Sequence, residues 1–367
     1  MMAARLKVAG ATGLLLPLLL LLALPATVQS QQRDQGFTFT TNNGALTVKG
    51  YNGPEGAVTI PSATNGYPVT SIGPNAFASH STLTSVTIPN SITNIGSQAF
   101  QACTKLTGVT IPDSVTSLGD NAFQGCTGLT SATIGNSVTS LTGNAFDGCT
   151  SLTNVTIGNA VTNIGSQAFL DCPRLTSVMI PDSVTSIGNY GFMSCTGLAS
   201  VTIGNGVSSL GAYAFSETRL SSVTIPSSVT SIGDGAFEYC SSLTGAYFPG
   251  NAPSLGSTNV FDNGNNATVV YYLPGATGWY TPFGGVPAML WNPQAQAGGA
   301  SFGVRTNRFG FTITGTSNLV IVVEGCTNLA NSAWTPISTN TLIGGSSYFS
   351  DPQWTNYPAR FYHLRSP

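Results

Sequence analysis

Charge is what this sequence lacks. Only 7% of its 367 residues are Asp, Glu, Lys or Arg, against about 25% in an ordinary soluble domain. Eleven basic residues meet thirteen acidic ones, so no cationic surplus exists to neutralise phosphates and nucleic acid is excluded as a partner. Histidine is nearly absent: His80 and His363 stand too far apart to frame a metal or catalytic centre. No GxSxG elbow, HExxH pair or Walker loop is present. Long apolar runs are missing as well, except for Leu14 to Leu24, which Pro17 interrupts. A membrane-spanning helix needs about 20 residues, and this run is shorter. Arg5 and Lys7 precede it and Val28-Gln29-Ser30 follows it. Residues 1–30 therefore read as a Sec-type signal peptide with cleavage near Ser30. No cysteine follows the run, which excludes a lipoprotein anchor. The mature chain, from about Gln31, is expected to be secreted or at the cell surface, with no transmembrane segment.

In place of charge the chain has Gly, Ser, Thr and Asn, arranged on a fixed period. Phenylalanine recurs at Phe77, Phe100, Phe123, Phe146, Phe169, Phe192 and Phe215, each 23 residues after the last, and Phe237 follows after 22. Ala or Gly precedes every one. Five residues earlier stands Ile or Leu, followed by Gly except at Thr142. The other half of the unit reads Leu-x-x-Val-x-Ile, as at Leu106, Val109 and Ile111. A repeat this regular marks a solenoid. The SVTIP stretch alternates apolar and hydroxyl residues, the period of a half-buried strand. Such a strand is too short to stand alone and pairs in parallel with its neighbours. The return stretch SVTxIGxxAFxxC is expected to hold turns or a short helical piece around GxxAF. About eight inward side chains per coil, each contributing roughly 1.5–3 kcal/mol when a large one is fully buried, form one continuous core.

The unit LTSVTIPDSVTSIGNYGF and its copies resemble leucine-rich repeats of the BspA-like type, as do the entry segment GALTVKGYNGPEGAVTIPSATNGYPVTSIGPNAF and the exit segment ending in AMLWNP. The resemblance implies a right-handed leucine-rich-repeat coil with a parallel β-sheet, in an exported protein with a part in adhesion. The expected organisation is an N-terminal cap at 31–71, repeats at 72–243 and a C-terminal cap at 244–291. A linker at 292–300 and a small antiparallel β-domain at 301–367 follow. The cap's aromatics, Tyr271, Tyr272, Trp279, Tyr280, Phe283 and Trp291, read as a hydrophobic lid more than as a sugar platform. The last domain resembles C-terminal modules of exported proteins of environmental bacteria. The coil after Phe215 has lost a residue, which implies a local bulge or edge.

Six of seven cysteines lie three residues after a repeat phenylalanine: Cys103, Cys126, Cys149, Cys172, Cys195 and Cys240. One reading is a ladder of disulfides, because coil spacing falls within the range such bonds allow and export favours oxidation. The other, favoured, is a column of free buried thiols, because five consecutive positions cannot pair completely and identical neighbours stack side by side. His80 takes the cysteine position of the first coil and is assigned to the cap. Asp120, Asp147 and Asp234 lie in loops, one per coil, without a partner carboxylate at close sequence spacing. No metal, cofactor or catalytic residue is expected.

What remains is a surface. Outward strand positions form one column of Ser85, Gly108, Ser131, Asn154, Ser177, Ser200 and Ser222. A second holds Thr87, Thr110, Thr133, Thr156, Met179, Thr202 and Thr224. This uncharged hydroxyl face reads as a docking surface for an extracellular protein or glycan. Three alternatives stand beside it: simple solubility of an exposed sheet, a spacer or surface-layer component without a ligand, and an ice-binding face, against which Met179 interrupts the threonines.

Overall fold

A computed structural model describes residues 32–34, 36–262, 267–331 and 333–365, so the expected signal peptide lies outside the described residues. The SVT segments form three-residue strands. Gly108–Thr110, Ser131–Thr133 and Asn154–Thr156 pair in parallel with no shift, so Val109, Ala132 and Val155 align inward and Thr110, Thr133 and Thr156 align outward. The alternation of one buried residue between two polar ones dictates this: a one-residue slip would turn every Val into solvent.

The return half of the unit contains a second sheet. Its Ile or Leu closes a two-residue strand, and six of these, from Ser140–Leu141 to Ser254–Leu255, pair in parallel as one run. The GxxAF segment is a chain of turns, and no helix forms there in any described coil. Two left-handed residues in each coil explain why, one two places before the Phe and one two places after. In the second coil they are Gln98 (φ 58°) and Ala102 (φ 56°). Left-handed residues cannot continue a right-handed helix. Glycine occupies the second site in the next two coils, at Gly125 and Gly148, both with φ 68°. Replacing Ala102 by Gly is therefore expected to raise stability by about 1 kcal/mol, and Gly125→Ala to lower it by a similar amount. Urea unfolding of the two variants checks this.

The core is a stack of rings. Phe77, Phe100, Phe123, Phe146, Phe169, Phe192, Phe215 and Phe237 are all fully buried. Their centroids follow one another at 4.9 to 5.4 Å with planes within 10° of parallel. A ninth ring, Phe261, continues the stack 5.5 Å beyond Phe237. The Gly after each Ile lets coils approach this closely: a Cβ on Gly96 would sit 2.6 Å from the Pro74 nitrogen. At Thr142, where Gly is replaced, the buried Oγ1 finds no hydrogen-bond partner among the described residues. The lost residue after Phe215 makes no bulge in the stack, because Phe215 and Phe237 remain 5.4 Å apart. The link from Thr218 to Leu220 is one residue shorter than that from Cys195 to Leu198 and lacks its turn, and the Thr218 hydroxyl donates to the Phe215 carbonyl at 2.9 Å.

Hydroxyls tie each coil to the one before. Thr130 Oγ1 donates to the Thr107 carbonyl at 2.8 Å and Thr153 Oγ1 to the Thr130 carbonyl at 3.0 Å. Thr162, Thr185 and Ser208 do the same beside the second sheet. These residues bond protein to protein at a step of one repeat, so much of the Thr and Ser content is structural.

At the N-terminal end, an antiparallel pair of Phe37–Asn42 and Ala45–Tyr51 covers the first coil. His80 Nε2 lies 2.8 Å from the Tyr51 carbonyl, its ring against Tyr51 and Phe77. At the other end the exit segment continues the solenoid. Gly245–Phe248, Val269–Tyr272 and Ala288–Leu290 extend the first sheet in parallel. Trp279 stacks on Tyr272 at 5.1 Å and meets Phe283 at 4.7 Å. Most of these aromatics are packed on one another; Tyr280, though 59% exposed, also meets Phe283 edge-on at 5.4 Å.

The stretch 292–300, read as a linker, contributes a strand instead: Gln294–Gln296 pairs antiparallel with Arg308–Thr314. That strand also pairs with Gly303–Arg305 and Ser346–Asp351. A second sheet joins Thr335–Thr341, Val320–Cys326 and Phe361–Arg365, all antiparallel. Ile313, Leu319, Ile321, Val323, Leu342 and Phe349 fill the space between the sheets. The domain's two acids are both engaged, Asp351 with Arg360 at 2.9 Å and Glu324 with Arg365.

Candidate functional site

The first sheet's outer surface is built by the short strands themselves. Ser85, Thr87, Thr110, Ser131, Thr133, Asn154, Thr156, Ser177, Met179, Ser200, Thr202 and Thr224 are exposed and Ser222 is half-buried. Thr110, Thr133 and Thr156 lie in register, as do Met179 and Thr202. Met179 is 71% exposed and breaks the threonine row with a flexible apolar side chain. Where Gly108 omits a side chain, the face dips into a shallow hollow of about 470 Å³ bordered by Thr87, Thr110, Ser131 and Thr133. No charged side chain belongs to either column.

The aspartates of the coils serve the scaffold. Asp113 accepts from the Asn136 amide at 2.6 Å and Asp182 from the Asn205 amide at 2.7 Å. Asp120 accepts from Gly143 at 3.1 Å, and Gln124 donates to Asp147 at 2.8 Å. Burial holds the Asp147 carboxyl above its ordinary range, against the Gln124 hydrogen bond, and Asp171 pushes it the same way. Among the described residues no three His, Cys, Asp or Glu side chains gather as metal ligands.

The seven cysteines are free and buried. Each column thiol points at the preceding coil: Cys103 donates to the Phe77 carbonyl and Cys126 to the Phe100 carbonyl, both at 3.1 Å. That direction satisfies a carbonyl and keeps neighbouring sulfurs side by side. Hydrogen bonding by Cys103 and burial hold the Cys126 thiol far above its ordinary value, and burial pushes Cys149 up to about 12.

The threonine column changes chemistry at its C-terminal end. Thr224 is followed in register by Tyr247, Tyr271 and Met289. The two tyrosine rings stack at 5.0 Å and the C-terminal domain closes over them, leaving them 8% and 6% exposed. Burial raises both phenols above their ordinary range. A cavity of about 250 Å³ remains at this junction, where Thr224, Tyr247, Tyr271 and Trp291 meet His363 and Leu364. The columns read from the repeats stop at Thr224. The signal for the rest was the switch from Thr to Tyr at the same strand position.

Stacked parallel coils with a Leu-x-x-Val-x-Ile strand define a leucine-rich-repeat solenoid. The chain belongs to the BspA-type leucine-rich-repeat family, whose repeat model matches in six copies across residues 70–195 and 162–273. A leucine-rich-repeat protein from Bacteroides ovatus is 26% identical, with 71% of this chain and 77% of that one covered and a TM-score of 0.50. A leucine-rich cell surface protein from Faecalibacterium prausnitzii is also 26% identical, covering 66% of this chain and 94% of that one at a TM-score of 0.33. No functionally curated relative matches the chain. No helix among the described residues is long and apolar enough to cross a membrane.

Proposed function

We propose that this protein is an exported, non-catalytic binding protein that docks an extracellular protein or glycan on the hydroxyl face of its first sheet. The observation that carries the reading is the pair of in-register, exposed, uncharged columns from Ser85 to Thr224. Short hydroxyl side chains lose little entropy when ordered, so a flat array of them meets a partner at low cost. The BspA-type family is consistent with a surface role, and residues 1–30 supply the export signal by their pattern. With no charge on the face, binding should form without electrostatic steering and respond little to salt. The test is a screen of glycan and matrix-protein arrays with the wild type and with Thr133→Glu/Thr156→Glu. The two changes lie in register on adjacent strands, so the facing carboxylates are expected to cost up to about 1 kcal/mol while the protein stays folded, and to weaken any captured ligand at least about tenfold. Equal capture by both proteins would remove the face from the binding site. Absence of any ligand would favour the spacer reading.

A further inference from the structure

A different site lies on the C-terminal domain. The hairpin of Gly303–Arg305 and Arg308–Thr314 turns through Thr306 and Asn307, both left-handed at φ 46° and 60°, the geometry of a tight two-residue turn. Its register places Arg305 directly opposite Arg308 and Gly303 directly opposite Gly310. Like charges facing across a strand pair are destabilising. The domain's acids give no relief, since Glu324 and Asp351 are committed to Arg365 and Arg360. Both hairpin arginines are exposed. Beside them stand the two glycines. The space a Cβ would take on Gly303 is open, while the Tyr348 side chain lies over Gly310. Tyr348 is 46% exposed, and with Ser301, Thr306 and Ser350 it borders a hollow of about 580 Å³ between the arginines. The turn is held in place by Trp354, whose Nε1 donates to the Asn307 carbonyl at 3.0 Å.

We propose that this hollow binds an acidic sugar residue of a polysaccharide. The paired guanidiniums supply fork-shaped donors for one carboxylate or sulfate, Tyr348 offers a flat ring to the apolar face of a pyranose, and the flanking hydroxyls meet its hydroxyl groups. Two cations are too few to hold a nucleic acid by its phosphates, and the exposed aromatic ring beside the arginines fits a sugar ring better than a peptide side chain. The cost of opposing the two arginines is then recovered when the anion arrives.

The test uses the full chain with four probes: polygalacturonate for the carboxylate source, dextran sulfate for the sulfate source, neutral dextran, and single-stranded DNA. The expected result is binding of polygalacturonate or dextran sulfate but not of dextran, falling about tenfold between 50 and 200 mM salt as two released counterions require. Arg305→Gln and Arg308→Gln should each lose about tenfold or more in affinity, with a melting temperature equal to or above wild type because the like-charge pair is gone. Tyr348→Ala should weaken sugar binding too, and Thr133→Glu/Thr156→Glu should leave it unchanged, which separates this site from the hydroxyl face. The proposal is overturned by equal binding of neutral dextran, by no binding of either acidic polymer, by full binding in the arginine variants, or by DNA binding as tight as the acidic sugars and indifferent to Tyr348→Ala.

Discussion

Phe146→Ala is expected to destabilise the protein by about 3–5 kcal/mol, as a buried phenylalanine truncation does when its surroundings cannot collapse. The magnitude follows from position. Phe146 is fully buried and touches a ring on each side, Phe123 at 5.3 Å and Phe169 at 5.4 Å. The backbone around it cannot move in to fill the void. Phe146 N–H donates to the Ala168 carbonyl of the next coil and the Ala145 carbonyl accepts from Phe123 N–H of the preceding one, so both neighbouring coils are fixed. Because stability in a stacked array depends on nearest-neighbour interfaces, the loss removes two interfaces at once. Urea unfolding followed by circular dichroism is the measurement, and the unfolding is expected to split into two transitions flanking the damaged coil. A variant that melts like wild type would show that this ring is not holding the stack.

The second large effect is alkaline. The Cys126, Cys149, Cys172 and Cys240 thiols are all held above their ordinary range; hydrogen bonding by Cys103 leads at Cys126 and by Cys195 at Cys172, and burial leads at the other two. A group whose pKa is higher in the folded than in the unfolded chain contributes stability that is complete below its unfolded value and lost as pH rises through the folded one. For Cys149 that window runs from the ordinary 9.0 up to about 12. The loss is about 1.4 kcal/mol per pH unit for each such thiol within its window. Stability measured at pH 7, 9 and 11 is expected to be level over the first interval and to fall steeply over the second. Cys149→Ala should flatten the fall, though Tyr247 and Tyr271, also raised by burial, add to it. At pH 8 the folded protein is expected to resist iodoacetamide, and all seven thiols to react once denatured. Rapid labelling of the folded chain would show that the column is open to solvent.

Most of the solenoid was legible because its residues report on one another. Phe, Ala, Ile and Cys recur at one interval, and only stacking satisfies all four columns. The second sheet was harder to see. Its strands are two residues long, as at Asn94–Ile95, too short for alternation to register as a period. The ninth ring escaped for a local reason: Val260 stands where Ala is expected, and six residues separate Leu255 from Phe261 in place of five. The strand Gln294–Gln296 was hidden by its composition, since Gln and Ala carry no strand signal, and it forms because Thr312–Thr314 offers it an edge. At the face, the repeats showed which residues point outward but not where the surface ends, because the contact between Tyr247, Tyr271 and the C-terminal domain joins segments with no shared pattern.

Every coil presents the same register to its successor, so the protein is also a measuring rod. Duplicating one 23-residue unit would add a single rung of about 4.8 Å to both sheets. His80 would keep its place under Tyr51, and the C-terminal domain would still rest on the last two tyrosines. In such a molecule the reach between the two ends is inherited as a count. Lineages can lengthen or shorten it by whole steps while the parts that close each end never meet a new neighbour.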